Sequence, residues 1–252
     1  KNDTLGHLIV EDFGDDVLQF YLNKKNTNKL IKLAIEQIHR IELIELDKSI
    51  FSDFEKITEN NLYIFKKFFL EEFLEVSELE NFKEEIDEFY SIIISELKDY
   101  PKVINHYDFE SRNLISLSEK KIGVIDFQDA LIGPLGIDLA SIFKDLYKEW
   151  TKEELDNWLD FYVKNSHIVK NASLKTSEVK RMIDIASLQR QTRILGKLSQ
   201  VFLELKRSER LKDFETILKY LMSTSFEYGE TKRFSKFFKN LIPILKQRLR
   251  IL

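Results

Sequence analysis

The chain has no cysteine among its 252 residues. Disulfides and thiolate metal sites are therefore excluded, and the cytosol is the expected compartment. Proline (3) and glycine (7) are scarce, which argues against a β-sandwich or propeller, since these need many turn residues. The four histidines (His7, His39, His106 and His167) stand far apart without ligand-like spacing, so a structural zinc site is not expected. Positive charge is not in excess: net charge is −4, which offers no footprint for non-specific nucleic-acid binding. There is no run of 18 apolar residues to span a membrane, and no signal peptide opens the chain. The first residue is Lys1 rather than methionine, so the sequence is expected to continue upstream or to have been processed.

Apolar residues make up 43% of the chain, with 20 phenylalanines, enough for a substantial core. Their periodicity predicts a mostly α protein. Leu8-Ile9-Val10 reads as a short strand closed by the acidic turn from Glu11 to Asp16. Asn28 reads as a cap, followed at helical spacing by Leu30, Ile31, Leu33, Ala34, Ile38, Ile41 and Ile44. A second helix carries Leu62, Phe65, Phe69, Leu70 and Phe73, and a third Phe82, Ile86, Phe89, Tyr90, Ile93 and Ile94. From about residue 137 the pattern is helical almost to the end. The basic, amphipathic C-terminal segment (Lys232 to Arg250) either lies on an anionic membrane or packs its apolar stripe on the domain. Packing is the commoner outcome, with Pro243 interrupting the stripe.

Residues 101–136 differ from the rest. They hold three of the glycines and two of the prolines, and the best strand pair: Leu114-Ile115-Ser116-Leu117 and Ile122-Gly123-Val124-Ile125 around a polar turn. This small β-hairpin has a chemical consequence. Asn113 immediately precedes its first strand and Asp126 immediately follows its second, so antiparallel pairing brings them to one open end. An amide oxygen beside a carboxylate is a hard-oxygen pair suited to Mg²⁺. Asp108, five residues before Asn113, delivers a second carboxylate free to act as a base.

The spacing His106-x-Asp108-x-x-x-x-Asn113, then a hydrophobic hairpin, then Asp126, matches the catalytic loop of protein-kinase-like phosphotransferases. The following Asp126-Phe127-Gln128-Asp129-Ala130 and Gly133-Pro134-Leu135-Gly136-Ile137-Asp138-Leu139-Ala140-Ser141 resemble the aminoglycoside phosphotransferase family of small-molecule kinases. Within that family the chain more closely resembles the sugar kinases that act on N-acetylmuramate and N-acetylglucosamine at the anomeric carbon. Ser111-Arg112-Asn113-Leu114, Asp145-Leu146-Tyr147 with Trp150, and Asp184 followed by Leu188-Gln189-Arg190 and Leu195-Gly196 carry that closer likeness.

The resemblance implies the large, mostly helical lobe of a protein-kinase-like fold over residues 17–252, its catalytic loop at 106–126. Residues 1–16 would end the small lobe and form the nucleotide hinge at Glu11, Asp12 and Phe13, most of the small lobe lying outside the chain. No glycine-rich phosphate loop occurs, so the chain is expected to be a fragment or a truncated protein that binds ATP poorly. Asp108 would be the base, with Asn113 and Asp126 holding Mg²⁺ on the phosphates of ATP. His106 and Asp138 would brace the loop, although Asp138 also reads as a helix cap. Arg112 would steady a phosphate or the substrate, or is simply solvated. Gln128, Asp129, Asp145, Asp184, Gln189 and Arg190 would contact the sugar, against the plainer reading of helix-surface charge for the last three. Tyr147 and Trp150 would stack on a sugar or sit in the core. The expected function is phosphorylation of an amino-sugar hydroxyl in cell-wall recycling. An aminoglycoside kinase and a non-catalytic binding module derived from a kinase are the alternatives.

Overall fold

The computed structural model describes residues 10–45, 54–76, 83–118 and 120–251. The Leu8-Ile9 strand and Phe82 lie outside them; Val10 is exposed and belongs to no strand. Ten α-helices and four short strands are formed among the described residues. Helix α1 (Leu18–Tyr21) is a single turn; α2 (Thr27–Glu42) buries Leu30, Ile31, Ala34, Ile35 and Ile38, one helical face. Its cap position is Asn26, not Asn28. The Asn28 side chain is spent elsewhere: its Oδ1 accepts from Trp158 Nε1 at 3.0 Å and Asn157 Nδ2 at 3.2 Å, on helix α6 (Lys152–Asn165).

The second predicted helix is two structures in series. Helix α3 (Phe54–Ile64) runs directly into a π-helical stretch, Phe65–Phe73. Its phenylalanines stack along the chain, Phe65 on Phe69 at 5.5 Å, and Phe73 meets Phe214 edge-on at 5.1 Å. Helix α4 (Lys83–Asp99) follows.

Four strands then form two separate antiparallel ladders. Strand β1 (Lys102–Asn105) pairs with β4 (Leu131–Pro134), and β2 (Leu114–Ser118) with β3 (Lys121–Val124), Leu114 opposite Val124. The β2–β3 hairpin is the predicted one. The β1–β4 ladder joins segments far apart in sequence and leaves no local signal. The stretches 106–113 and 125–130 both cross from one ladder to the other, so they run side by side. The chain before α1 lies along the hairpin: Ser116 N donates to Asp16 O at 2.9 Å, and the Phe13 ring covers Gly123, where a Cβ would stand 2.6 Å from it.

Helix α5 (Ile137–Phe143) is buried at every residue. After α6 come α7 (His167–Asn171), the 30-residue α8 (Thr176–Leu205), α9 (Phe214–Phe226) and α10 (Lys232–Ile251). Helix α8, about 45 Å long at 1.5 Å per residue, packs against α3, α4, α5, α9 and the π-helical stretch, which makes it the central rod of the core. Helix α10 buries Phe234, Phe237, Phe238, Leu241 and Leu245 and packs on α9, running through Pro243 without a break.

Candidate active site

The loop between β1 and β2 is held from below by Asp138. Its carboxylate accepts the backbone N–H of His106 at 2.7 Å and of Tyr107 at 2.9 Å. The cap position of α5 belongs to Gly136, so Asp138 is spent on the loop rather than on its own helix. Burial pushes the Asp138 carboxyl up to about 7, against the pull of its two N–H donors. His106 Nε2 donates to Ile125 O at 2.9 Å, tying this loop to the one after β3. Burial lowers the His106 pKa. Tyr107 sits at φ 76°, a conformation costly for an aromatic residue. Its N–H on Asp138, its hydroxyl accepting from Asn61 at 3.1 Å, and the Arg193 guanidinium 4.1 Å from its ring centre hold it there.

Asp108 follows. Its Oδ1 accepts from Arg193 Nη2 at 2.7 Å, and the same nitrogen reaches Tyr107 O at 3.3 Å. Burial raises the Asp108 carboxyl, but Arg193, Arg190 and Arg112 outweigh it and hold the group below the ordinary carboxylate range. Asn113 Nδ2 donates to Asp108 O at 2.9 Å, which fixes the amide and turns its Oδ1 away from that bond. Ile125 N donates to Asn113 O at 3.1 Å, so the residue after Ile125, Asp126, stands across from Asn113. Asp126 adopts φ 68° and accepts from Gln128 Nε2 at 2.9 Å through Oδ1. The short 3₁₀ turn Phe127–Asp129 keeps Gln128 and Asp129 exposed beside it. Two hard oxygens, one amide and one carboxylate, are thus available at one end of the hairpin, and this donor chemistry fits Mg²⁺.

Two further carboxylates stiffen the loop. Buried Asp145 accepts Ser111 N at 2.9 Å and Tyr147 N at 2.7 Å. Buried Glu110 accepts from Arg190 Nη2 at 2.6 Å and Arg112 Nε at 2.7 Å. The structure therefore brings Asp108, Arg112, Asn113, Asp126, His106, Asp138, Asp145 and Arg190 together. Gln189 is buried in α8, its Nε2 without a partner among the described residues. Glu11 and Asp12 are exposed, Asp12 Oδ1 accepting Gly14 N at 2.8 Å, while Phe13 covers the hairpin.

Asp184 is elsewhere. With Lys144, Trp150 and Lys180 it lines a cavity of about 420 Å³ whose walls do not include Asp108 or Arg112. Its carboxylate is held by Lys180 Nζ at 2.6 Å and the Tyr228 hydroxyl at 2.7 Å. Nine residues along a helix amount to two and a half turns, so Asp184 and Arg193 leave α8 on opposite sides. Trp150 is tied to the core, its Nε1 donating to Ile142 O at 2.8 Å and its ring edge-on to Trp158 at 5.1 Å. Tyr147 is half-buried beside the loop with Arg210 over its ring at 5.1 Å.

Sequence reasoning missed Arg193 and Glu110. The signal for Arg193 was present: it lies three residues after Arg190 and four after Gln189, on the same helix face. Glu110 is an unassigned position inside the loop motif, and only the fold shows its two arginines.

Among solved structures, the fold is similar to ADP-bound aminoglycoside phosphotransferase APH(2'')-Ib (TM-score 0.51, 19% identity, 82% of this chain and 68% of that one). It is also similar to an ethanolamine kinase of Plasmodium vivax (TM-score 0.55, 16% identity, 78% and 59%). The fold is thus the one these two kinases share. The sequence matches the phosphotransferase enzyme family (APH) over residues 15–170, and the chain belongs to that family. It is also similar to N-acetylmuramate/N-acetylglucosamine kinases of Pseudomonas putida (24% identity; 78% of this chain, 58% of the relative) and Neisseria meningitidis (26%; 90% and 69%). A third such kinase, of Pseudomonas aeruginosa, is 25% identical over 86% of this chain and 64% of the relative. The chain spans less than two thirds of the two Pseudomonas relatives.

Proposed function

We propose that the chain carries the catalytic machinery of an ATP- and Mg²⁺-dependent kinase that phosphorylates a hydroxyl of an amino sugar of the N-acetylmuramate/N-acetylglucosamine class, in cell-wall recycling. The observation that carries this reading is the junction between the two ladders, where the Asn113 amide is bonded to the Asp108 backbone carbonyl and Asp126 follows the residue paired to Asn113, so that the three residues share one place. Arg193 occupies Oδ1 of Asp108, which leaves Oδ2 to take the proton of the acceptor hydroxyl. The acceptor oxygen then bonds to the γ-phosphorus as the bond to the β-phosphate oxygen breaks. Asn113 Oδ1 and Asp126 would hold Mg²⁺, which when bound neutralises phosphate charge. Glu11, Asp12 and Phe13 would border the nucleotide, and Gln128 and Asp129 the sugar hydroxyls.

The arginines favour a sugar over an aminoglycoside. A polycationic acceptor needs free carboxylates, whereas Arg112, Arg190 and Arg193 surround Asp108, and Glu110 is matched to two of them. A cytosolic enzyme is consistent with the cysteine-free chain. The test is ATP consumption with Mg²⁺ against a panel of amino sugars and aminoglycosides, for the wild type and Asp108→Asn. Loss of the base is expected to lower kcat about 10²- to 10⁴-fold while nucleotide binding is retained. Turnover confined to aminoglycosides would move the acceptor to that class. No turnover of any acceptor by the wild type would favour the binding-module alternative, and an Asp108→Asn variant as fast as an active wild type would remove Asp108 as the base.

A further inference from the structure

Arg112 carries a guanidinium that the loop holds in place without using it up. Its Nε donates to Glu110 Oε2 at 2.7 Å, and the other oxygen of Glu110 is locked by the buried Arg190 at 2.6 Å. The backbone beneath is fixed as well, since Ser111 N is bound to the buried Asp145 carboxylate. The Arg112 side chain is nevertheless 39% exposed, and its two Nη groups meet no partner among the described residues. A guanidinium tethered through Nε with both Nη groups free is a fork pre-set for a planar oxyanion.

Two oxyanions come near such a site, a phosphate of the nucleotide and a carboxylate of the acceptor. The surroundings separate them. The Nε tether draws the Arg112 side chain to Glu110, whose other oxygen is held by Arg190 of α8, and the Asp145 carboxylate that fixes Ser111 N also binds Tyr147 N. Asn113, by contrast, is paired through its carbonyl to Ile125 N at the hairpin end. The fork is thus tethered on the α8 and Tyr147 side of the loop, and the Asn113–Asp126 pair stands on the hairpin side, where it would face the phosphates.

We propose that Arg112 determines acceptor specificity: its free Nη groups take the carboxylate of an acidic amino sugar, so that an acceptor bearing a carboxylate-tipped ether is preferred over the same sugar without it. The proposal rests on the kinase reading above and names its acceptor subclass. N-acetylmuramate and N-acetylglucosamine form the discriminating pair, because the first is the second with a lactyl ether ending in a carboxylate.

The experiment measures kcat and KM for both sugars and for ATP, using the full-length gene product with Mg²⁺, in the wild type, Arg112→Gln and Arg112→Lys. Arg112→Gln is expected to raise KM for N-acetylmuramate roughly ten- to a hundred-fold more than for N-acetylglucosamine, the worth of one charge-assisted fork. Arg112→Lys should recover part of that difference, since it keeps the charge and loses the fork. Equal losses on the two sugars, or a loss confined to KM for ATP, overturn the proposal and give Arg112 to the loop or the phosphates. If the wild type turns over neither sugar, the acceptor assignment itself fails and the proposal falls with it, an outcome distinct from a variant that treats both sugars alike.

Discussion

Glu110 shows how a single residue holds the site together. It is buried with two guanidiniums on its two oxygens, one of them Arg190, among the largest fully buried side chains in the protein. Removing one member of a buried pair leaves the other charge uncompensated, which costs about 3–5 kcal/mol. Glu110→Gln is therefore expected to lower the free energy of urea unfolding by that order, and the double variant Glu110→Gln/Arg190→Met to recover most of it. A single variant as stable as wild type would mean that Arg190 finds another partner. The sequence did not single out Glu110, because nothing local distinguishes it from a solvated glutamate. Its burial follows from α8 passing beneath the loop.

At the scale of elements, the site depends on how short segments are aimed. Helix α5 has seven residues and starts at Gly136, whose φ is 103° and where an added Cβ would stand 3.0 Å from the Met182 backbone. Both the left-handed backbone and the close approach to α8 call for glycine. Gly136→Ala is expected to cost about 1–3 kcal/mol from backbone strain, with further cost from the contact, read as a lowered melting temperature. It should also disturb the loop, because Asp138 lies two residues on and carries the N–H groups of His106 and Tyr107. A variant that melts with wild type would show that α5 can be shifted without loss. The β2–β3 hairpin was legible because its strands are adjacent in sequence. The β1–β4 ladder was not, and neither was the π-helical stretch, whose phenylalanines satisfy a 3.6-residue pattern equally well.

At the scale of the whole molecule, His106 couples stability to pH. Its Nε2–H is spent on Ile125 O, and its Nδ1 is buried without a partner among the described residues, so a second proton would place an unpaired charge in the interior. Burial accordingly lowers its pKa. The unfolded chain takes up a proton at this residue below about pH 6.5 while the folded chain resists it, so the contribution of His106 to stability is lost as pH falls through that region, opposite in sign to that of the raised Asp138 carboxyl. Urea unfolding at pH 7 and pH 5.5 should show a smaller drop for His106→Gln than for wild type. Equal drops would assign the slope to other groups. The same bond ties the loop before β2 to the one after β3, so this residue links global stability to the geometry of the site.

The sequence by itself determined the helical class, the hairpin, and the set Asp108, Asn113 and Asp126, because each follows from local spacing: period, turn chemistry, and the rule that antiparallel strands bring their ends together. Through resemblance it also assigned Arg190 to the candidate site, and the structure sets that side chain on Glu110 of the loop. Only the tertiary structure decided that Arg193 holds Asp108, that Glu110 joins two arginines, that Asp138 serves the loop rather than its helix, and that Asp184 faces a different cavity. The reason is physical. Local periodicity says which residues share a face, but the partner of a buried charge is whatever another element presents to it. Those partners come from α5 and α8, 31 to 85 residues away along the chain.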